Sequence, residues 1–355
     1  MKTAVLRSGA LRLCAAFRPQ AAAILCYHSI APENQDEYDS ILTTINFMGQ
    51  GEIHPTVTNE PDDYISRAIT VDADVFDEQM RMLRKKYNPV TLDDIADWQN
   101  GKKQLPPRAV AVTFDDGFED NYSVAAPIME KYGIFGAFYL TVNAVIKNEL
   151  PWFCRTIYLF QEALERKLVL TDEHGKTWNL GNPDENHEAF VQYSNPCAAK
   201  TDKVLEEYVE KLENWFGYKL DLTHGPRMMS FDQARELRQR GHIVGNHTYS
   251  HGNIARIPPE KIEQEIAGAN DILERELGGK SEHFSYPNPH FLNPQWNEQS
   301  LALTQRICFK TAVLTDHGVV TKTSNPLLLQ RVYISNDDTD AFCWRLDNAF
   351  AGRKV

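Results

Sequence analysis

Apolar and polar positions alternate along this chain in blocks that predict strands and helices in regular succession. AAAILCYHSI, residues 21–30, is an apolar run ending in polar groups and predicts a short buried strand. Residues 31–70 are rich in Asn, Asp, Pro and Gly and predict a long loop. Phe76, Met80 and Leu83 recur at helical spacing and place a helix around Val75–Tyr87. A second short helix follows from about Leu92, before the turn signals Gly101 and Pro106–Pro107. Ala109–Phe114 (AVAVTF) reads as a buried strand that stops at Asp115, Asp116 and Gly117. The next helix carries Ala125, Pro127, Ile128 and Met129 and breaks at Gly133, and Phe135–Val142 is the following strand. Strand, helix and strand at these lengths imply parallel pairing in an α/β fold.

The rhythm breaks between about 146 and 225, where Trp152, a polar tract and a charged helix around Thr201–Trp215 read as an insertion. It then resumes. Ser230, with Gln233 three residues on, forms a capping box for a helix ending at Gly241. Strand His242–Gly245 leads into NHTYSH. Pro258–Gly278 carries Ile262, Ile266, Ala269, Leu273 and Leu277 on one stripe and predicts an amphipathic helix. HFSYPNP, ICFKTAVLT and LLLQRVYI supply the remaining strand-like segments. Repeated β-then-α units suggest a (β/α) barrel, in which chemistry sits on the loops following the strands. The polar clusters at Asp115, at His247 and after Phe284 all fall there. The expected organisation is one catalytic domain over 1–355, with its core at about 20–145 and 226–335 and the insertion at about 146–225.

Composition narrows the class. The 355 residues are 42% hydrophobic and 24% charged, as in ordinary folded proteins, and are enough to bury a large core. A net charge of -12 disfavours nucleic acid as a partner. No stretch approaches the roughly 20 apolar residues of a membrane span. The N-terminal segment is basic, with Lys2, Arg7, Arg12 and Arg18, and its arginines interrupt any apolar signal core. Leu6, Ala10, Leu13 and Phe17 predict a short amphipathic helix instead. Six cysteines without short repeated spacing read as reduced thiols, which with the lack of a clear signal peptide gives a cytoplasmic expectation.

Two clusters carry candidate chemistry. Asp115 and Asp116 crowd two carboxylates at a strand end, which is costly unless a cation or a proton is near, although a turn or a helix cap also favours Asp. His247 and His251 are four apart, which on a helical turn puts two imidazoles on one face. Two His and one carboxylate leave coordination positions open, as a catalytic metal requires.

Thr113-Phe114-Asp115-Asp116-Gly117 and His247-Thr248-Tyr249-Ser250-His251, in this order and at this separation, resemble the two leading motifs of the polysaccharide deacetylase family of carbohydrate esterases. The resemblance implies a distorted (β/α) barrel. It implies that Asp116, His247 and His251 bind a divalent metal, with zinc first and cobalt, manganese, nickel or iron as alternatives. It makes Asp115 the catalytic base. Where many members carry an arginine, this chain has Phe284-Ser285-Tyr286-Pro287, similar to a branch acting on exported bacterial polysaccharides. Ser285 cannot orient a carboxylate as a guanidinium does. Arg331 is the candidate substitute, with a surface ion pair as its alternative. In that branch the His of a Tyr-His motif is the general acid, which Tyr27-His28 matches, and His317 is the rival.

The implied reaction removes an acetyl group from an acetylated carbohydrate, foremost an N-acetylated aminosugar polymer or oligomer. A backbone N–H near Tyr286 is expected to hold the oxyanion, and Trp152, Tyr286 and Pro287 to contact sugar. A metal hydrolase of non-sugar amides and an inactive carbohydrate-binding homologue are the competing readings.

Overall fold

The computed structural model describes residues 20–32, 70–218, 227–289 and 293–353. The expected N-terminal helix and most of the expected loop at 31–70 lie outside the described residues.

Seven strands follow the sequence pattern: β1 (Ala21–Tyr27), β2 (Ala109–Phe114), β3 (Ala137–Leu140), β4 (Ile243–Asn246), β5 (His283–Ser285), β6 (Thr311–His317) and β7 (Leu329–Tyr333). Each pairs in parallel with the next, and β7 pairs with β1, so the sheet closes into a barrel. Asn88–Pro89 extends the sheet beside β2, and Val320–Thr321 runs antiparallel to β1. Closure follows from the β-then-α order, because each crossover returns the chain parallel to the strand before it.

Side chains alternate across each strand, so one set faces the helices and the other fills the barrel. Leu25, Tyr27, Val112, Phe114, Phe138 and Val332 face outward, against helices such as Ala73–Lys86 and Thr339–Phe350. Ala22, Ile24, Ala109, Ala111, Ala137, Tyr139 and Leu329 pack as the interior, and Trp98 of helix Leu92–Gln99 closes the N-terminal end. Tyr139 takes so much of this space that a Cβ on Gly245 would stand 2.6 Å from its ring. Small residues on the facing strands are therefore a packing requirement. Toward the other end of the interior the same inward positions turn polar, at Cys26, Thr113, Ser285 and Arg331.

The insertion is helical, with Trp152–Glu165, Pro183–Ser194 and Asp202–Phe216 around a small hairpin, Val169–Thr171 with Thr177–Asn179. It has its own apolar cluster, centred on Phe160, whose ring meets Phe190 and Phe216 edge-on at 5.6 and 5.0 Å. It docks at the C-terminal rim of the barrel, where Asn253 N–H donates to Ala198 O at 2.9 Å. The Pro258–Gly278 segment is helical as its stripe predicts, but it is not one uniform α-helix. A 3-10 turn opens it, a π-helical turn occupies Gln264–Gly268, and only Ala269–Leu277 is regular. No helix among the described residues is long and apolar enough to cross a membrane.

Candidate metal centre and catalytic pair

Strand β2 delivers its polar end to the C-terminal mouth of the barrel. Asp115 N–H still joins the sheet, donating to Tyr27 O at 3.0 Å. Asp116 then takes a left-handed φ of 76° and Gly117 one of 89°. This turn sends two consecutive carboxylates in different directions. It costs Asp116 on the order of 1–2 kcal/mol, a strain that persists where surrounding contacts over-determine it. Asp116 O accepts from Thr141 N, and Gly117 O from Met229 N, at 3.1 and 2.9 Å.

His247 follows β4 and His251 lies four residues on, but the segment between them is not helical. The expected helical turn is corrected: Thr248 and His251 have φ values of 68° and 60°, which no α-helix contains. The two rings converge, 4.8 Å between centroids, because the loop folds on itself. Asn246 Oδ1 accepts from Thr248 N at 2.7 Å, and Thr248 Oγ1 from His251 N at 3.1 Å.

Asp116 Oδ1 stands 3.4 Å from His247 Nε2 and 3.2 Å from His251 Nε2, all three side chains being buried. It nevertheless has no hydrogen-bond partner. Nδ1 of His247 is 2.9 Å from Ser285 O, a carbonyl that only accepts, so this nitrogen carries a proton and Nε2 is left to face the carboxylate. In the neutral ring that Nε2 is a bare lone pair; burial favours this form, but Asp115 and Asp116 outweigh it and raise the ring's proton affinity. Two acceptors held together in a buried place require something positive between them. A divalent cation fits this donor set of one carboxylate and two imidazoles.

Asp115 is served differently. Arg331 lies wholly buried in the barrel and donates Nη1–H to Oδ1 at 2.8 Å and Nη2–H to Oδ2 at 2.6 Å. Its Nε–H goes to Leu314 O at 2.8 Å, and further contacts reach Thr113 Oγ1 and Ser285 Oγ, each at 3.2 Å. The surface ion pair considered for Arg331 is therefore not what the chain forms. Ser285 Oγ also donates to Asp115 Oδ2 at 3.3 Å, so the serine supports the pair that the arginine orients. Burial pushes the Asp115 carboxyl up, but the Arg331 guanidinium, together with His247 and His28, outweighs it and brings the group to about 2. Cys26, His28 and Asp115 also lie close together, but there both Asp115 oxygens accept from Arg331.

His28 sits between β1 and the short strand Ser29–Ala31, its ring stacked 6.0 Å from that of Tyr333. A ring nitrogen lies in the group with Cys26 Sγ and an Asp115 oxygen, and burial lowers its proton affinity. The rival His317 lies at the end of β6, paired in register with Arg331.

The three residues expected to contact sugar are placed otherwise. The Tyr286 ring is fully buried against Phe284, with its hydroxyl 3.3 Å from Thr304 Oγ1. Its backbone N–H donates to Val313 O at 3.0 Å and is not free for an oxyanion. Pro287 is buried beside it. Trp152 is buried too, and its Nε1–H donates to His251 O at 3.3 Å, while Phe153 packs its ring 4.4 Å from that of His251. Trp152 and Phe153 thus pack against His251, whereas Tyr286 belongs to the apolar cluster around Phe284.

Other contributors escaped the sequence pattern. Asp120 accepts from Ser29 Oγ at 2.5 Å, and Asn121 Nδ2–H donates to His28 O at 2.6 Å. Glu265 accepts from Ser250 N and Oγ. The available signal was a charged residue close to the apolar stripe of its helix, three positions after Ile262 and one before Ile266.

A family model for polysaccharide deacetylase matches residues 102–307, and the chain belongs to that family. Among curated proteins it is similar to the putative polysaccharide deacetylase YxkH of Bacillus subtilis (strain 168), 19% identical over 261 residues, 73% of this chain and 64% of the relative. It is also similar to the poly-beta-1,6-N-acetyl-D-glucosamine N-deacetylase of Escherichia coli (strain K12), 36% identical over 67 residues, 19% of this chain and 10% of the relative. The chain thus spans less than two-thirds of the length of these relatives. Two solved structures share the barrel fold. Streptococcus pyogenes deacetylase PplD, in complex with acetate, aligns at a TM-score of 0.56 and 16% identity, over 93% of this chain and 99% of that one. IcaB from Ammonifex degensii aligns at 0.53 and 17%, over 94% and 98%.

Proposed function

We propose that this chain is a metal-dependent carbohydrate deacetylase acting on N-acetylated aminosugar polymers or oligomers, with zinc as its metal. The observation that carries the reading is the unpartnered Asp116 Oδ1 between two imidazoles, beside an ionised Asp115 gripped by Arg331. The family and the named activity of the Escherichia coli relative support the substrate class.

Asp116, His247 and His251 would hold the cation. When bound there, a divalent cation supplies Lewis acidity, polarising an acetyl carbonyl and acidifying water. Asp115 takes the proton from the attacking water. Arg331 keeps it ionised and pointed at the mouth, so no proton has to be shed before each turnover. His28 delivers a proton to the departing nitrogen. Burial lowers the proton affinity of this imidazole, so it is a stronger acid when protonated but holds that proton for less of the time near neutral pH. Phe153, packed on His251, and Trp152, bonded to its carbonyl, keep water from the back of the centre.

The experiment is acetate release from N-acetylglucosamine oligomers by purified protein before chelation, after it, and after Zn²⁺ is returned. Release that stops on chelation and resumes with zinc is expected. Undiminished release after complete metal removal would overturn the reading.

A further inference from the structure

The loop bearing both histidines is braced by the helix that follows it. At Gln264–Gly268 that helix widens into a π-helical turn, an arrangement that recurs at functional sites. Four contacts leave this turn for the loop. Ile266 O accepts from Asn246 Nδ2 at 2.9 Å, and Glu265 O from Tyr249 N at 3.0 Å. The Glu265 carboxylate accepts from Ser250 N through Oε2 at 2.8 Å and from Ser250 Oγ through Oε1 at 2.7 Å. Glu265 is 1% exposed, beside a stripe that Ile262, Ile266, Ala269 and Leu273 fill with apolar groups. An apolar side chain would serve packing there at less cost, since a buried carboxyl carries a desolvation penalty. The two Ser250 contacts fix the residue immediately before His251. That part of the chain needs fixing, because Thr248 and His251 both hold left-handed backbone that non-glycine residues adopt only under constraint.

We propose that Glu265 is a positioning residue for the metal centre, holding the Tyr249–His251 turn so that His251 Nε2 faces Asp116. The inference rests on the metal centre proposed above and adds a residue outside it that sets its affinity. Outer residues that orient metal ligands change affinity by about 10–100-fold when removed.

The test is Zn²⁺ affinity, measured by competition with a chromophoric chelator, alongside thermal unfolding of the metal-free proteins. Glu265→Ala is expected to bind zinc about 10–100-fold more weakly than wild type. Glu265→Gln can still accept from Ser250 N while its amide donates to Ser250 Oγ, and it should stay within about threefold of wild type. A folded Glu265→Ala protein with wild-type affinity overturns the proposal, even if it melts earlier. A Glu265→Gln protein as weak as the alanine variant also overturns it, because charge and not geometry would then be responsible. If Glu265→Ala does not fold, Ser250→Ala decides: weaker zinc binding supports the role, and unchanged binding overturns it. Wild-type protein that takes up no zinc overturns the metal centre and this role together, whereas equal binding by wild type and Glu265→Ala overturns this role alone.

Discussion

Arg331 and Asp115 are 216 residues apart and meet through two parallel hydrogen bonds of 2.8 and 2.6 Å inside the barrel. Removing the guanidinium should leave a buried, unpaired carboxylate, so Arg331→Met is expected to lose about 3–5 kcal/mol of stability in denaturant unfolding. Arg331→Lys retains charge but not the planar fork. It should fold and lose on the order of 10²-fold in kcat/KM. Near-wild-type activity in the lysine variant would show that the orientation of Asp115 does not matter.

The two aspartates should separate by metal content. Asp115→Asn is expected to keep one zinc per chain and lose about 10²–10⁴-fold in rate. His247→Ala and Asp116→Ala should lose metal and activity together. Elemental analysis of the three proteins checks this; a metal-free Asp115→Asn would mean that the carboxylates have exchanged roles.

His28 is tested by leaving group. His28→Ala should slow release of acetate from an acetylated aminosugar far more than from an activated acetate ester, whose alcohol departs without a proton. The ratio of the two rates, compared between wild type and variant, is the measurement. An unchanged ratio transfers the proton-donor role to His317.

Asp120 predicts a pH dependence of stability. Burial raises its carboxyl from 3.8 to about 7, against the donors Ser29 and Asn121. Between these values the folded chain holds a proton that the unfolded chain has released. Its contribution to stability is therefore present below about pH 4, declines as pH rises and levels off above about 7, a change on the order of 4 kcal/mol. Asp120→Asn keeps an oxygen for Ser29 and should flatten that decline in urea unfolding at a series of pH values. A decline identical to that of wild type would show that Asp120 is ionised throughout.

Much was legible without coordinates, and what was legible is local. Strand Ala109–Phe114 occupies the residues its apolar run marks, and the Ser230–Gln233 capping box forms with both hydrogen bonds. These features depend on neighbours within a few residues, through side-chain alternation and backbone satisfaction at a helix end. The family motifs named Asp115, Asp116, His247 and His251, and the structure brings all four to one mouth. Tertiary structure decided the rest. The helical spacing of His247 and His251 was a coincidence of number, because the chain between them turns through left-handed backbone that contacts with Glu265 and Asn246 hold in place. Tyr286 and Trp152 carry the same rings whether they meet sugar or core, and only packing put them in the core. Arg331 offered no periodicity or spacing that tied it to Asp115. Barrel closure, with β7 lying beside β1 and β1 beside β2, brings the two within hydrogen-bonding reach, and contacts made by closure leave no trace in local sequence.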